Sequence, residues 1–317
     1  MEKPAEITPE AGRRIDESIV AALCYADIFR FALTLEEIVR FVPGVRITID
    51  EAAARLRSSE ELRTVVKQKG NLYYLDGRDD NCQRRLDREA ESRRQLDIAL
   101  RRIIPLQGVP FLRAAAITGA LAALNSPAGD DIDLLIISAR RRIWSTFFFL
   151  RLWRRFGQNP DICFNVFLTE GDLVFSNRNM FYAREILGAL PVYNAPAFER
   201  FRAANCWIYD VFPSYLPDIE LQDCRLPASP RWRRQQRTVE KMLAGPVGDL
   251  LEMAVRKLQS RKLASVSPGA SLTMRRNRIK LHKQDNRFPI LDKYNQRVQD
   301  WTARYREAAC DRPVRPA

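Results

Sequence analysis

The sequence predicts an α+β fold in three parts: an N-terminal unit of three helices and a hairpin, a central mixed sheet with flanking helices, and a C-terminal helical, basic region. Three observations predict it. Within residues 1–80 the pattern changes from helical spacing of apolar residues to two short β runs about a Lys-Gly-Asn turn. Residues 111–137, FLRAAAITGALAALNSPAGDDIDLLII, read as strand, glycine turn, short helix, loop and second strand. Residues 231–317 carry 21 Lys and Arg against 8 Asp and Glu, a surplus of 13 that equals the whole-chain balance of 52 minus 39, so the first 230 residues are neutral. A chain of 317 residues has room for two or three compact units.

In order along the chain, residues 16–29 form an amphipathic helix in which Ile19, Val20, Leu23 and Ile28 share a side. Thr34 opens a second helix with Glu37 three residues on, the pattern of a capping box. Thr48 or Asp50 opens a third, through Ala54 and Leu56, and residues 62–67 and 71–75 then form the hairpin. This order describes a winged-helix-like segment, a form that often reads DNA with one helix in the major groove. Here Glu51, Glu60 and Glu61 are mixed with Arg55 and Arg57, without a basic stripe, so protein docking or internal packing is the preferred expectation. Residues 81–108 are a connector, of which 81–102 is a charged, solvated helix with ion pairs at helical spacing.

The central unit, 109–175, carries the chemistry. Residues 114–117 are a short buried strand, Thr118 and Gly119 break it, and 120–124 make a helical turn. Glycine lets the backbone approach a ligand, and amides freed at a helix start attract anions. On the next strand Asp131 and Asp133 share a face, roughly 6.6 Å apart along the backbone, and Ile132, Leu134 and Ile136 take the other. Neighbouring acids repel, and a divalent cation shared with a substrate phosphate neutralises them. The run from Trp144 to Trp153 is too short to span a membrane and is flanked by arginines, so it is read as a buried helix. In the strand 162–168, alternation puts Asp161, Cys163, Asn165 and Phe167 on one face, with Cys163 expected to be a small packing residue.

These pieces resemble the nucleotidyltransferase superfamily, the fold of DNA polymerase β and the antibiotic nucleotidyltransferases. Its signature is a hydrophobic strand, Gly followed by Gly or Ser, a gap of about ten residues and Asp-hydrophobic-Asp, matched here by Ile117, Gly119, Ala120, the stretch 121–130, then Asp131, Ile132 and Asp133. A wider resemblance, carried by VPFLRAAAITGALAALNS, DDIDLLIIS, ICFNVFL and AREILGALPVYNAPAFERFRAANCWIYDVFPSY, is to bacterial proteins with a winged-helix-like segment before such a domain. The resemblance implies that Asp131 and Asp133 bind Mg2+ or Mn2+, and that Thr118, Gly119, Ala120 and Asn165 contact a nucleoside triphosphate. Two positions depart from the pattern. Ala120 lacks the usual serine hydroxyl, and Asn165 stands where a third carboxylate is expected; an amide cannot act as a base.

The resemblance also makes residues 176–225 the helical wall of a cleft, with helices over 179–187 and 197–209 joined by a turn around Pro191 and Pro196. Its candidate contacts are Tyr182, Arg184, Glu185, Tyr193, Arg200, Arg202 and Trp207. Residues 226–317 form the basic region, where RWRRQQR (231–237) and RRNRIK (275–280) can attract nucleic acid, acidic protein or an anionic membrane surface. Trp232, Phe288, Tyr294, Trp301 and Tyr305 are spread thinly there, and the plainer expectation is a solvated helix face with a disordered end at RPVRPA. The sole histidine, His282, beside Asp285 and Arg287, would suit a phosphate contact or a base if this region folds over the cleft.

Six cysteines without a CxxC pair argue against a zinc knuckle or a disulfide frame, and the polar start of the chain carries no secretion signal, so a soluble protein of the reducing cytoplasm is expected. The expected function is metal-dependent transfer of a nucleoside monophosphate from an NTP to an unidentified hydroxyl or amine. The alternatives are a catalytically degenerate nucleotide-binding regulator that also binds nucleic acid, and a scaffold.

Overall fold

Thr8 accepts a hydrogen bond from the Ala11 amide and starts α1 (Pro9–Ile28), whose Ile15, Ile19, Val20 and Leu23 enter the first core. The computed structural model describes residues 8–157, 159–217, 224–264, 271–275, 278–282 and 287–310, the side chains at 260–264, 271–275, 280–282, 287, 309 and 310 excepted. Capping boxes at Thr34 with Glu37 and at Thr48 with Glu51 open α2 (Leu35–Phe41) and α3 (Ile49–Ser58). Thr48, not Asp50, is therefore the third cap. Residues 62–65, expected as strand, are helical: Ser59 accepts from the Leu62 amide and starts α4 (Glu60–Val65). In that turn Leu62 and Val65 lie three apart on one helical face and are both buried. The hairpin is shorter than expected, β1 (Val66–Lys69) against β2 (Leu72–Leu75), and turns at Gly70 with φ +63°.

The long helix α5 (Asp80–Ile103) carries ion pairs at helical spacing, as expected, and they are Arg85–Glu89, Arg93–Glu89 and Arg94–Glu91. It is not wholly solvated: Leu96, Ala99 and Ile103 enter the main core, and Arg85 is buried against Glu37 and the Phe31 ring. A 3-10 turn (Ile104–Gly108) leads to β3 (Leu112–Thr118), α6 (Gly119–Ala122), β4 (Ile132–Ser138), α7 (Ile143–Phe156) and β5 (Ile162–Thr169). Trp144, Phe147 and Leu150 bury α7 as expected. Asn179 caps α8 (Met180–Gly188). The following turn predicted around Pro191 is instead β6 (Leu190–Tyr193), then α9 (Ala195–Ala203) and α10 (Ile208–Val211), so the helix expected over 197–209 is interrupted. β6 lies at the sheet edge beside β3, a position that tolerates proline's missing amide hydrogen.

Among the described residues the remaining elements are α11 (Pro230–Met242), α12 (Pro246–Ala264), β7 (Ser271–Arg275), β8 (Arg278–His282) and α13 (Arg287–Cys310). The six-stranded sheet has the order β6-β3-β4-β5-β8-β7, with β4 and β5 parallel and the other pairs antiparallel. This is a mixed sheet in an α+β fold. One face, with Ile117, Ile132, Leu134, Ile136, Ile162, Phe164 and Phe167, packs with α5 and α7; the other, with Ala116, Leu135, Ile137 and Leu168, packs with α8 and α9.

Residues 226–317 contribute to all of these layers. On α11, Gln236 donates to the Val109 and Leu112 carbonyls. Glu252 on α12 accepts from the Trp144 and Ser145 amides at the start of α7. Arg278, in the basic stretch read as attracting nucleic acid, is buried, pairs with Asp172 and lies over the Phe175 ring. Trp301 and Tyr305, expected among the thinly spread aromatics, complete the N-terminal core. Residues 312–317, expected to be disordered, lie outside the described ones. Among the described residues no helix is long and apolar enough to cross a membrane. Among the described residues Cys24 and Cys82 are buried free thiols and Cys206 is an exposed one.

Candidate functional site

The site begins where β3 ends. Thr118 pairs in register with Asp133, and its hydroxyl lies 3.5 Å from the Asp133 carbonyl oxygen, to which it donates. Gly119 then takes φ +70°, a left-handed conformation, and a Cβ built there would stand 2.9 Å from Asp133 Oδ2. Glycine is required twice, by backbone angle and by close approach. The helix that follows is a single turn of four residues, and Ala120 on it is exposed.

Asp131, just before β4, is exposed, and its Oδ2 accepts from the Cys163 thiol at 3.3 Å. Asp133 is half-buried, and its Oδ1 accepts from Asn165 Nδ2 at 2.5 Å. Both acids thus lean toward the same stretch of β5. Ile132, Leu134 and Ile136 lie in the core on the opposite face, as alternation predicts. Cys163, read as a packing residue, is half-exposed on the acid face, and the same alternation that placed Asn165 there was the signal for it.

Two residues expected beside Asn165 are elsewhere. The β4–β5 register passes from Leu134↔Phe164 to Leu135↔Val166, so Asn165 is the extra residue of a β-bulge. Beyond the bulge the faces exchange, and Phe167 joins Phe164 in the opposite core. Asp161 is outside the strand and is held by both Arg102 guanidinium nitrogens at 2.6 and 2.5 Å. That pairing holds its carboxyl below the usual range and directs it toward α5.

Of the seven candidate contacts in the helical wall, Glu185 is the one coupled to the acids. Burial pushes its carboxyl up to about 7, the charge of Asp133 acts in the same direction, and Arg184 opposes both. Arg184 stacks over the rings of Phe41 at 3.5 Å and Tyr25 at 5.1 Å, and burial lowers its guanidinium to about 10. The others have structural surroundings. Tyr182 packs on Phe175, Trp207 is buried, and Arg202 donates to the Leu187 and Ala189 carbonyls at the end of α8. Arg200 bonds locally to the Pro196 carbonyl, and Tyr193 sits near Arg233 and Arg113, its hydroxyl raised by burial. His282 pairs through its backbone with Ser271; Val166 pairs with Lys280, which puts His282 toward the Asn165 end of the β5–β8 ladder. The His282 side chain and Asp285 lie outside the described residues.

Among the described residues no group of three or more His, Cys, Asp or Glu side chains is arranged to hold a metal ion. The donor set is therefore two carboxylates and one amide on a partly open strand face. Magnesium characteristically takes one or two protein carboxylates and completes its shell with water and substrate phosphate, so this set suits a cation that arrives with a phosphate. Compared with family models, curated proteins and solved structures, the chain matches none.

Proposed function

We propose that the chain binds a nucleoside triphosphate with Mg2+ or Mn2+ at the Gly119 turn and transfers the nucleoside monophosphate to a hydroxyl or amine acceptor. The observation that carries this reading is the convergence of Gly119, Asp131, Asp133 and Asn165. The turn leaves open backbone where phosphate oxygens approach, and Asp131 and Asp133 supply the carboxylates for the cation. When bound, the cation would polarise the α-phosphate and offset charge on the leaving group. Asn165 orients Asp133 through its amide hydrogen. The acceptor atom forms its bond to the α-phosphorus as the bond to pyrophosphate breaks, and the acceptor's proton passes to solvent, because Asn165 cannot take it. In this reading the N-terminal helices and hairpin act as a winged-helix-like docking unit, and the cytoplasm supplies the nucleotide.

The test is pyrophosphate release from each NTP with magnesium or manganese, alongside calorimetric binding. Asp131→Asn with Asp133→Asn should abolish both signals; unchanged rates would remove the mechanism. A second reading is favoured by Asn165 itself: a nucleotide-binding regulator without transfer. It predicts metal-dependent binding with no pyrophosphate from any acceptor mixture.

A further inference from the structure

Helices α11 and α12 hold their acids against protein and leave their bases exposed. The three acids between residues 231 and 264 are Glu240, Asp249 and Glu252. Each is turned against protein: Glu240 accepts from the Phe111 amide and Arg113, Asp249 pairs with Arg142, and Glu252 accepts from the Trp144 and Ser145 amides. Arg231, Arg233, Arg234, Arg237, Lys241, Arg256 and Lys257 are exposed instead. The inner face of α12 is fixed by Val255, in the main core, and by buried Gln259.

The outer face is not polar. Met242 at the end of α11 is 71% exposed, and on α12 Val247, Leu250, Met253 and Leu258 are 60%, 65%, 62% and 59% exposed. Their spacing of three to five residues puts the α12 members along one side of the helix, with Leu250 and Met253 turned away from Val255. A cluster of large aliphatic side chains outward on a helix, rimmed by Arg and Lys, is the composition of a helix that lies in a lipid interface.

We propose that α11 and α12 form a docking surface for an anionic lipid bilayer. The four aliphatic side chains of α12, with Met242, enter the headgroup boundary, and the exposed arginines and lysines meet lipid phosphates and carboxylates. Charge complementarity selects this partner, since residues 231–264 carry nine Lys and Arg against three Asp and Glu. Nucleic acid would satisfy the bases and leave the aliphatic face in water. A second copy packed face to face would bring Arg256 and Lys257 against themselves.

Co-sedimentation of the full chain with vesicles tests this. Vesicles of phosphatidylcholine with phosphatidylserine should bind it, and phosphatidylcholine alone should bind about tenfold less or worse, with the difference shrinking as salt rises. Leu250→Glu with Met253→Glu should reduce binding to the anionic vesicles at least about tenfold while the circular dichroism spectrum is unchanged. Arg256→Gln with Lys257→Gln, which leaves the apolar face intact, should weaken binding to anionic vesicles alone. Equal binding to both vesicle types, or none to either, overturns the proposal. So does a lipid-free dimer that the Leu250 and Met253 changes dissolve, or DNA or RNA that displaces the vesicles and binds the doubly substituted chain as well as the wild type.

Discussion

Asp16, inside the N-terminal unit, is fully buried and accepts from Arg55 Nε and Nη2, the Ser59 hydroxyl and the Tyr305 hydroxyl. Asp133, beneath Gly119, is half-buried, turns one oxygen to Asn165 and keeps the other against a glycine with no side chain. Four donors drawn from α3, the α3–α4 junction and α13 close around the first acid, whereas a turn without bulk faces the second. A carboxylate enclosed by protein donors ties elements together. In the proposed reading, the one that faces a bare turn is the one that receives the ligand.

Substitutions can break this contrast. Asp16→Ala should cost the most, about 3 kcal/mol or more in urea unfolding, because it leaves the Arg55 guanidinium and the Tyr305 hydroxyl without their common partner. A loss under about 1 kcal/mol would mean that the N-terminal unit does not depend on this acid. Gly119→Ala should cost about 1–3 kcal/mol, since alanine at φ +70° is strained and its Cβ meets Asp133 Oδ2 at 2.9 Å. The same change should abolish calorimetric nucleotide binding; a protein that binds normally would exclude the turn from the site.

Asp133→Asn should change stability by less than about 1 kcal/mol while removing metal-dependent binding. If it destabilises as much as Asp16→Ala, the two acids do the same work and the distinction fails. The smallest effect concerns pH. The Glu185 carboxyl ordinarily titrates near 4.5 and is raised to about 7 in the fold, so the folded state holds a proton that the unfolded chain has lost between these values. The stability that Glu185 contributes is therefore fully present below about 4.5 and is lost as pH rises through about 7. Thermal unfolding of the wild type against Glu185→Gln across that window should isolate the decline, and parallel curves would show that Glu185 is not held protonated.

What could be read from the sequence was what is set locally. The capping box at Thr34 depends on residues three apart and formed as expected, and of the two starts offered for the third helix Thr48 is the one that caps it. The strand–glycine–strand order around Asp131 and Asp133 was likewise legible, because alternation and a turn residue suffice to place it. Alternation failed at Asn165, where one bulged residue reverses every face after it, a shift that depends on the neighbouring strand. Cys163 was visible as a neighbour of Asn165, but its apolar surroundings masked its contact with Asp131. The coupling of Glu185 to Asp133, and the burial of Trp301 and Tyr305, arise from long-range packing that composition does not encode.

That packing has a consequence for synthesis. Tyr305 and Arg306 reach Asp16 and Glu17 across 289 positions, and Trp301 fills the same interior as Ile19 and Leu23. A nascent chain emerging from the ribosome therefore exposes the apolar sides of these helices until the segment that seals them has been made. A unit built early thus waits for residues made much later before it closes.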